Sequence, residues 1–202
     1  MLLSYKQGRG KKLHIYIDDE YMISTDIDFW ADNYIKNETE ISEQEWEELV
    51  DKINYRKALN KAFDLLSRRD HSVKELKIKL LKTVDENSAQ KAIERMLELD
   101  YLDDEKYAEN LLRHLTVNKK MSSSFIKKEM FKRGISGEIV NNLLEDTEID
   151  NVSTIKDLIL TKYVSKLSAE NGKEKVIAAL QRKGFGYYDI RKAFDEIEYD
   201  YE

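Results

Sequence analysis

Cysteine and proline are both absent from the 202 residues, and glycine occurs only seven times. Without cysteine there can be no disulfide, thiolate nucleophile, iron–sulfur cluster or thiolate zinc site. Three histidines, His14, His71 and His114, are then the strong metal ligands on offer, and they lie far apart. The paired carboxylates Asp18-Asp19 and Asp103-Asp104 have no histidine at ligand spacing; the first pair reads as a hairpin turn and the second as a helix cap. The GxxxxGK phosphate loop and the GxSxG elbow are missing as well. No apolar run approaches the roughly 20 residues that a spanning helix requires. The opening Met1-Leu2-Leu3-Ser4-Tyr5-Lys6 lacks the apolar core of a signal peptide, so a cytoplasmic location is expected. These absences leave no catalytic residue, cofactor or metal to assign. Scarce glycine and no proline also disfavour a many-turned β architecture and point to a mostly α chain.

Charge is abundant, at 37% of residues, with a net value of -6. It is unevenly spread. Residues 1–56 hold 7 Lys/Arg against 13 Asp/Glu, which accounts for the whole excess, and residues 57–202 balance at 27 of each. Within the balanced part, Lys119, Lys120, Lys127, Lys128, Lys132 and Arg133 face a lone Glu129, and the last ten residues answer with Asp195, Glu196, Glu198, Asp200 and Glu202. Basic helix faces beside an acidic tail suit contact with a phosphate backbone or an acidic partner.

Residues 1–56 read as a small α+β cap. Leu13, Ile15 and Ile17 alternate, Asp18-Asp19-Glu20 breaks the run, and Tyr21 and Ile23 resume it, which predicts a β-hairpin. Two strands are marginal alone, so the aromatic segment Asp26–Ile35, with Phe29, Trp30 and Tyr34, is expected to form a helix that covers them. Ser42 and Glu45 make a capping box for a further helix carrying Trp46, Leu49, Val50 and Ile53.

From Lys57 onward only helical periodicity remains, and it repeats. An offset of 50 aligns Arg133-Gly134-Ile135 with Lys183-Gly184-Phe185, and matches Ile126 with Val176, Met130 with Leu180, Val140 with Ile190 and Leu144 with Phe194. Going back another 50 sets Leu76 and Leu80 under Ile126 and Met130; after a three-residue insertion, Ile93 and Leu97 fall under Val140 and Leu144. The expected organisation is a cap at 1–56 and three three-helix repeats at 57–102, 103–149 and 150–202. First helices are expected near 57–69, 104–119 and 152–168, second helices near 73–83, 123–133 and 173–183, and third helices near 87–99, 137–146 and 187–197. Such units bury their apolar stripes by stacking, which predicts an elongated, curved helical rod. Ser72 with Glu75, and Asp103, provide N-caps, while Gly134 and Gly184 stand where a left-handed residue turns the chain.

The run Arg68-Arg69-Asp70-His71-Ser72-Val73-Lys74-Glu75-Leu76, the junction Leu99-Asp100-Tyr101-Leu102-Asp103-Asp104 followed by Tyr107-Ala108, and the turns Arg133-Gly134-Ile135 and Lys183-Gly184-Phe185 together resemble the RecX regulatory proteins over residues 57–197. The N-terminal hairpin and helix resemble the extension of members from Gram-positive bacteria. Asp100 departs from the pattern, in which a glycine commonly precedes the aromatic residue, and so does the low isoelectric point. The resemblance implies a non-enzymatic, monomeric modulator of RecA recombinase. Such a protein binds the RecA–single-stranded DNA filament, with any DNA contact of its own weak or made through RecA, and mainly inhibits recombination, ATP hydrolysis and the SOS co-protease activity.

On that reading the second helices offer the contact charges: Arg68, Arg69, Lys74 and Lys77 in the first repeat, Lys127, Lys128, Lys132 and Arg133 in the second, Arg182 and Lys183 in the third. Of the aromatic residues, Phe185 is expected to close its turn from inside, and one of Tyr187 and Tyr188 to be exposed. His71 and His114 are expected at the surface or an interface. Two other readings stay open at this point, a helix-turn-helix reader of duplex DNA and a helical protein–protein adaptor. Against the first, the third helix of repeat two, Ser136–Asp146, has Glu138, Glu145 and Asp146 and no Lys or Arg.

Overall fold

The computed structural model describes residues 1–200, with side chains described through Glu198; Glu202 and the side chain of Asp200, counted above in the acidic tail, lie outside the described residues. The chain divides into two compact units, Met1–Leu102 and the residues from Asp103 onward.

The first unit opens with strands β1 (Leu2–Gln7), β2 (Lys12–Ile17) and β3 (Glu20–Asp26), helix α1 (Ile27–Asp32) and the short strand β4 (Thr39–Glu40). The strands form an antiparallel sheet in the order β3-β2-β1-β4. The hairpin expected from the alternation at 13–25 is present, and two further strands extend the sheet on its β2 side. Asp18 and Asp19 form its two-residue turn, both with positive φ (49° and 66°), as the twist of a tight hairpin demands. Ile15 pairs with Ile23 and Tyr16 with Tyr21, so β3 carries one extra residue, Met22, at a bulge. The bulge separates Tyr21 from Ile23, which simple alternation assigns to one face. Leu3, Leu13, Ile15 and Ile17 pack inward against Phe29, Trp30, Ile41, Leu49 and Ile53. Phe29 and Trp30 are buried as expected, whereas α1 ends before Tyr34, which is exposed.

Helix α2 (Glu43–Leu66) starts at the Ser42–Glu45 capping box and runs unbroken for 24 residues. The sequence reading divides this stretch into a cap helix and a separate first helix of repeat one. No glycine or proline interrupts it, so one helix spans both. Leu49 and Ile53 belong to the sheet's core, while Ala58 and Ala62 belong to the next core, with α3 (Val73–Leu80) and α4 (Glu86–Glu98). Ala58 and Ala62 on α2 and Ala89 and Ala92 on α4 are all fully buried, and their small side chains let the two helices approach closely. In α4 the buried pair is Ile93 and Met96, not Ile93 and Leu97. Leu97 is exposed, because three and four residues are equally good steps along a helical stripe and packing selects the first. His71, expected at the surface or an interface, is buried just before α3, its Nδ1 2.9 Å from the Arg69 carbonyl and its Nε2 without a partner.

The second unit contains α5 (Asp104–Arg113), α6 (Ser123–Lys132), α7 (Gly137–Glu145), α8 (Asn151–Leu158), α9 (Val164–Leu167), α10 (Gly172–Arg182) and α11 (Tyr187–Asp200). Wider π turns at His114–Asn118 and Ile159–Tyr163 continue α5 and α8. One core joins Tyr107, Leu111, Ile126, Met130 and Val140; the other joins Ile155, Ile159, Val176, Leu180, Phe185 and Ile190. The aligned pairs Ile126/Val176, Met130/Leu180 and Val140/Ile190 are all at most 1% exposed.

Ser72, Asp103, Ser122 and Ser136 each accept a backbone N–H three residues on, worth about 1 kcal/mol per cap. Asp100, Gly134 and Gly184 each end a helix in a left-handed conformation, with φ of 57°, 83° and 88°. At each, the next residue donates its N–H to a carbonyl five positions back: Tyr101 to Met96, Ile135 to Met130 and Phe185 to Leu180. Asp100 thus adopts the conformation that the glycine common at this position would supply.

Gly134→Ala is expected to cost about 1 kcal/mol from the left-handed backbone alone. A Cβ on Gly184 would also lie 2.6 Å from Ser122 Oγ and 2.7 Å from Phe125 Cβ. Gly184→Ala should therefore cost a further ~1 kcal/mol or more, while Asp100→Gly should stabilise by about 0.5 kcal/mol. Urea unfolding of the three variants tests the order. Burial holds the His71 imidazole below its ordinary pKa of 6.5. Its contribution to stability is complete above 6.5, where the ring is neutral in both states, and is lost as pH falls towards the depressed folded value, because the unfolded ring takes up a proton that the folded one resists. His71→Asn should flatten the pH dependence of the urea midpoint between about pH 7 and about pH 5; an unchanged slope would contradict the assignment.

Candidate functional site

Each second helix places an i, i+4 apolar pair inward, which turns its lysines towards solvent. On α3 those fully buried residues are Leu76 and Leu80. Lys74 is exposed, and Lys77 reaches Glu86 at 3.1 Å. The two arginines before α3 are already engaged within the chain. Arg68 contacts Asp64 at 2.8 Å, and Arg69 donates to Glu75 at 3.1 Å and to the Asp70 carbonyl at 2.8 Å. Glu75 is the residue whose N–H bonds the Ser72 hydroxyl, so the Arg69 guanidinium helps fix the first turn of α3.

On α6, Lys127, Lys128 and Lys132 are exposed. Lys127 donates to the Asn141 side chain at 3.2 Å, and Lys132 lies 3.9 Å from Glu129 with 77% of its side chain open to water, a loose pair of little energetic weight. Phe131, 44% exposed, stands among them one turn from both Lys127 and Lys128. Arg133 faces the other way. Its Nε lies 2.9 Å from Glu129 and its guanidinium donates to the hydroxyl of buried Tyr107 at 2.7 Å, which ties α6 to α5.

On α10, Arg182 is exposed at the last turn. Lys183 has a different position from that of a free contact charge. Its amine donates to the carbonyls of Lys119 and Lys120, and Ser122 N donates to the Lys183 carbonyl at 3.1 Å. Ser124 Oγ donates to the Gly184 carbonyl at 3.0 Å, and Asn151 bridges the Ser123 backbone N–H and Asp189. These bonds clasp the 119–124 connection against the Lys183-Gly184 turn. Burial, helped by the neighbouring charges of Lys162, Lys119 and Lys120, lowers the Lys183 pKa. Lys162 enters this group from the π turn after α8 and gives no sign in the sequence, since it stands 42 positions beyond Lys120 and outside any basic run.

Of the ten basic residues expected at the site, then, Lys74, Lys127, Lys128, Lys132 and Arg182 are exposed, as are Arg68 and Arg69. Arg68, Arg69 and Lys77 pair with carboxylates, and Arg133 and Lys183 brace the fold. Tyr187 and Tyr188 are both exposed, at 62% and 78%, while the inward side of the same turn is taken by Ile190; Phe185 is buried. Elsewhere in repeat two, α5 and α7 line an open groove with Glu105, Glu109, Glu138 and Asp146 around Ile139 and Leu143. Among the described residues no three His, Asp or Glu side chains converge as a metal site, and no helix is long and apolar enough to cross a membrane.

A family model described as the first three-helix domain of RecX matches residues 58–96. The regulatory protein RecX of Clostridioides difficile is 28% identical to this chain, covering 98% of it and 97% of the relative. That of Bacillus subtilis is 27% identical over 98% of this chain and 76% of the relative. A crystal structure of RecX from Lactobacillus salivarius superposes with a TM-score of 0.58 at 25% identity over 72% of this chain and 97% of that one. A second crystal structure, of regulatory protein RecX, shares the fold over 96% of this chain with a TM-score of 0.59 at 18% identity. These relatives are named as regulatory proteins and not as enzymes, and with the helical repeats, the mid-chain basic helices and the small N-terminal sheet the chain is similar to RecX regulatory proteins over nearly its whole length.

Proposed function

We propose that this chain regulates a RecA recombinase by binding its filament on single-stranded DNA and mainly inhibiting its ATP hydrolysis, strand exchange and co-protease activity. The observation that carries this reading is the face of α6, where Lys127, Lys128 and Lys132 are exposed around the half-open ring of Phe131. Such a face suits an acidic protein surface or a phosphate backbone, and the apolar ring adds contact area at the centre of the charges. Lys74 on α3 and Arg182 on α10 are further exposed cations, and beside α3 Arg68, Arg69 and Lys77 become available by exchanging their carboxylate partners, most readily Arg68, whose pair with Asp64 is open to water. Several modest contacts on one chain add up to useful affinity because each later one forms intramolecularly. Arg133 and Lys183 support the surface and contribute to contact only through the helices they hold. The duplex-reader alternative is weakened by α7, whose Glu138 and Asp146 line an acidic groove unsuited to DNA. The site is non-enzymatic on this reading, and the protein works in the cytoplasm beside its partner.

Titration into preformed RecA–single-stranded DNA filaments should suppress ATP hydrolysis well below one chain per protomer; no effect at an equimolar ratio would discard the proposal. Replacing Lys127, Lys128 and Lys132 together by glutamate should weaken that inhibition roughly ten- to a hundredfold at low salt, with the helical circular dichroism intact. Arg133→Glu should instead lower the melting temperature, since it removes the bond that ties α6 to α5 and sets a carboxylate beside Glu129, and it separates support from contact.

A further inference from the structure

The N-terminal unit is acidic as a whole, yet its first 17 residues contain Lys6, Arg9, Lys11 and Lys12 and no carboxylate. Lys11 is paired with Asp28. Lys6, Arg9 and Lys12 are exposed, and none of them forms an ion pair among the described residues.

These charges adjoin the face of the sheet that points away from its core. The pairs Lys6–His14, His14–Ser24 and Tyr16–Tyr21 stand side by side on that face across β1, β2 and β3. The bulge at Met22 brings Tyr21 there; in an unbulged register it would fall opposite Ile17 and point to the core. Tyr21 is 57% exposed. Its ring stands edge-on to Tyr16 at 5.9 Å and to His14 at 5.8 Å, and the Lys6 amine lies 5.1 Å over the Tyr16 ring.

The arrangement is held in place. The Tyr21 hydroxyl is 2.9 Å from Ser24 Oγ, which is 2.7 Å from His14 Nδ1. The His14 ring in turn lies over Gly8, where any Cβ would collide with Nε2. A large aromatic ring fixed by hydrogen bonds, open to water and set beside a tyrosine that already holds a lysine amine over its face contributes nothing to the core beneath it. It does match the way single strands are gripped, with bases stacked on aromatic rings and phosphates met by lysine and arginine.

We propose that this sheet face is a binding surface for single-stranded nucleic acid, with Tyr21 and Tyr16 as the stacking residues and Lys6, Arg9 and Lys12 as the phosphate contacts. The acidic turn Asp18-Asp19-Glu20 adjoins Tyr21 and Tyr16 and disfavours phosphate there, so the backbone of a strand stacked on these rings runs towards Lys6, Arg9 and Lys12. This surface is distinct from α6 and does not depend on a recombinase partner.

The test is fluorescence anisotropy of a labelled oligothymidylate with the full chain at low salt, without recombinase. Tyr21→Ala, and separately Lys6→Glu with Lys12→Glu, should each weaken binding by about fivefold or more, while Tyr21→Trp should retain it and show quenching of its fluorescence on binding. Melting curves of the charge variant guard against a folding effect, since both lysines are exposed. Absence of binding by the full chain, or full affinity in both the Tyr21→Ala and the lysine variants, would overturn the proposal. So would binding lost only on charge reversal of α6, or a Tyr21→Ala variant that alters a filament assay at undiminished oligothymidylate affinity, which would make the face a protein contact.

Discussion

Leu76 and Leu80, Ile126 and Met130, and Val176 and Leu180 are each wholly removed from solvent, and each pair lies one turn apart on a short second helix. Burying such a side chain contributes about 1.5–3 kcal/mol, far more than any exposed lysine can gain from a surface pair. The pair therefore fixes the rotation of its helix. On α6 that rotation turns Lys127, Lys128 and Lys132 outward, while Arg133 is brought to Tyr107. The charged face follows from the apolar pair and the helical period, and the cation at the end of the helix is drawn into the frame because the chain turns there.

The turns are the second constraint. A left-handed residue ends a helix at Asp100, Gly134 and Gly184, and the carbonyls left open are met by the next N–H groups. At Gly184 the lack of a side chain does two things: it permits the backbone angle and admits Ser122 and Phe125 against the turn. Lys183 then spends its amine on carbonyls of the 119–120 segment. A partly buried amine in that position stabilises a connection and has little left for a ligand.

Much of this was legible beforehand. The offset of 50 rests on equal spacing of buried positions, and Ile126, Met130 and Val140 with their counterparts are buried as that spacing requires. Capping residues carry their own signal, so Ser42, Ser72 and Asp103 are recognisable from the chain alone. Other features carry none. Strand β1 is as long as β2 but opens on adjacent leucines and does not alternate cleanly, β4 is two residues long, and each is stabilised by its neighbours in the sheet. A helical stripe accepts three- and four-residue steps alike, so only packing could choose Met96 over Leu97. A lysine in sequence has the same charge whether it reaches water or a carbonyl, and this is why Lys127 and Lys183 look alike until the chain is folded.

The sequence by itself determined the class of fold, the helical repeats, the capped helix starts and the left-handed turns, because propensity, period and backbone sterics act over a few residues. Tertiary structure alone decided which cations are spent on the frame, that one helix runs unbroken from Glu43 to Leu66, that His71 is buried, and that a bulge sets Tyr21 beside Tyr16 on the open side of the sheet. Those outcomes depend on groups far apart along the chain meeting in space, and no local preference of the residues involved encodes them.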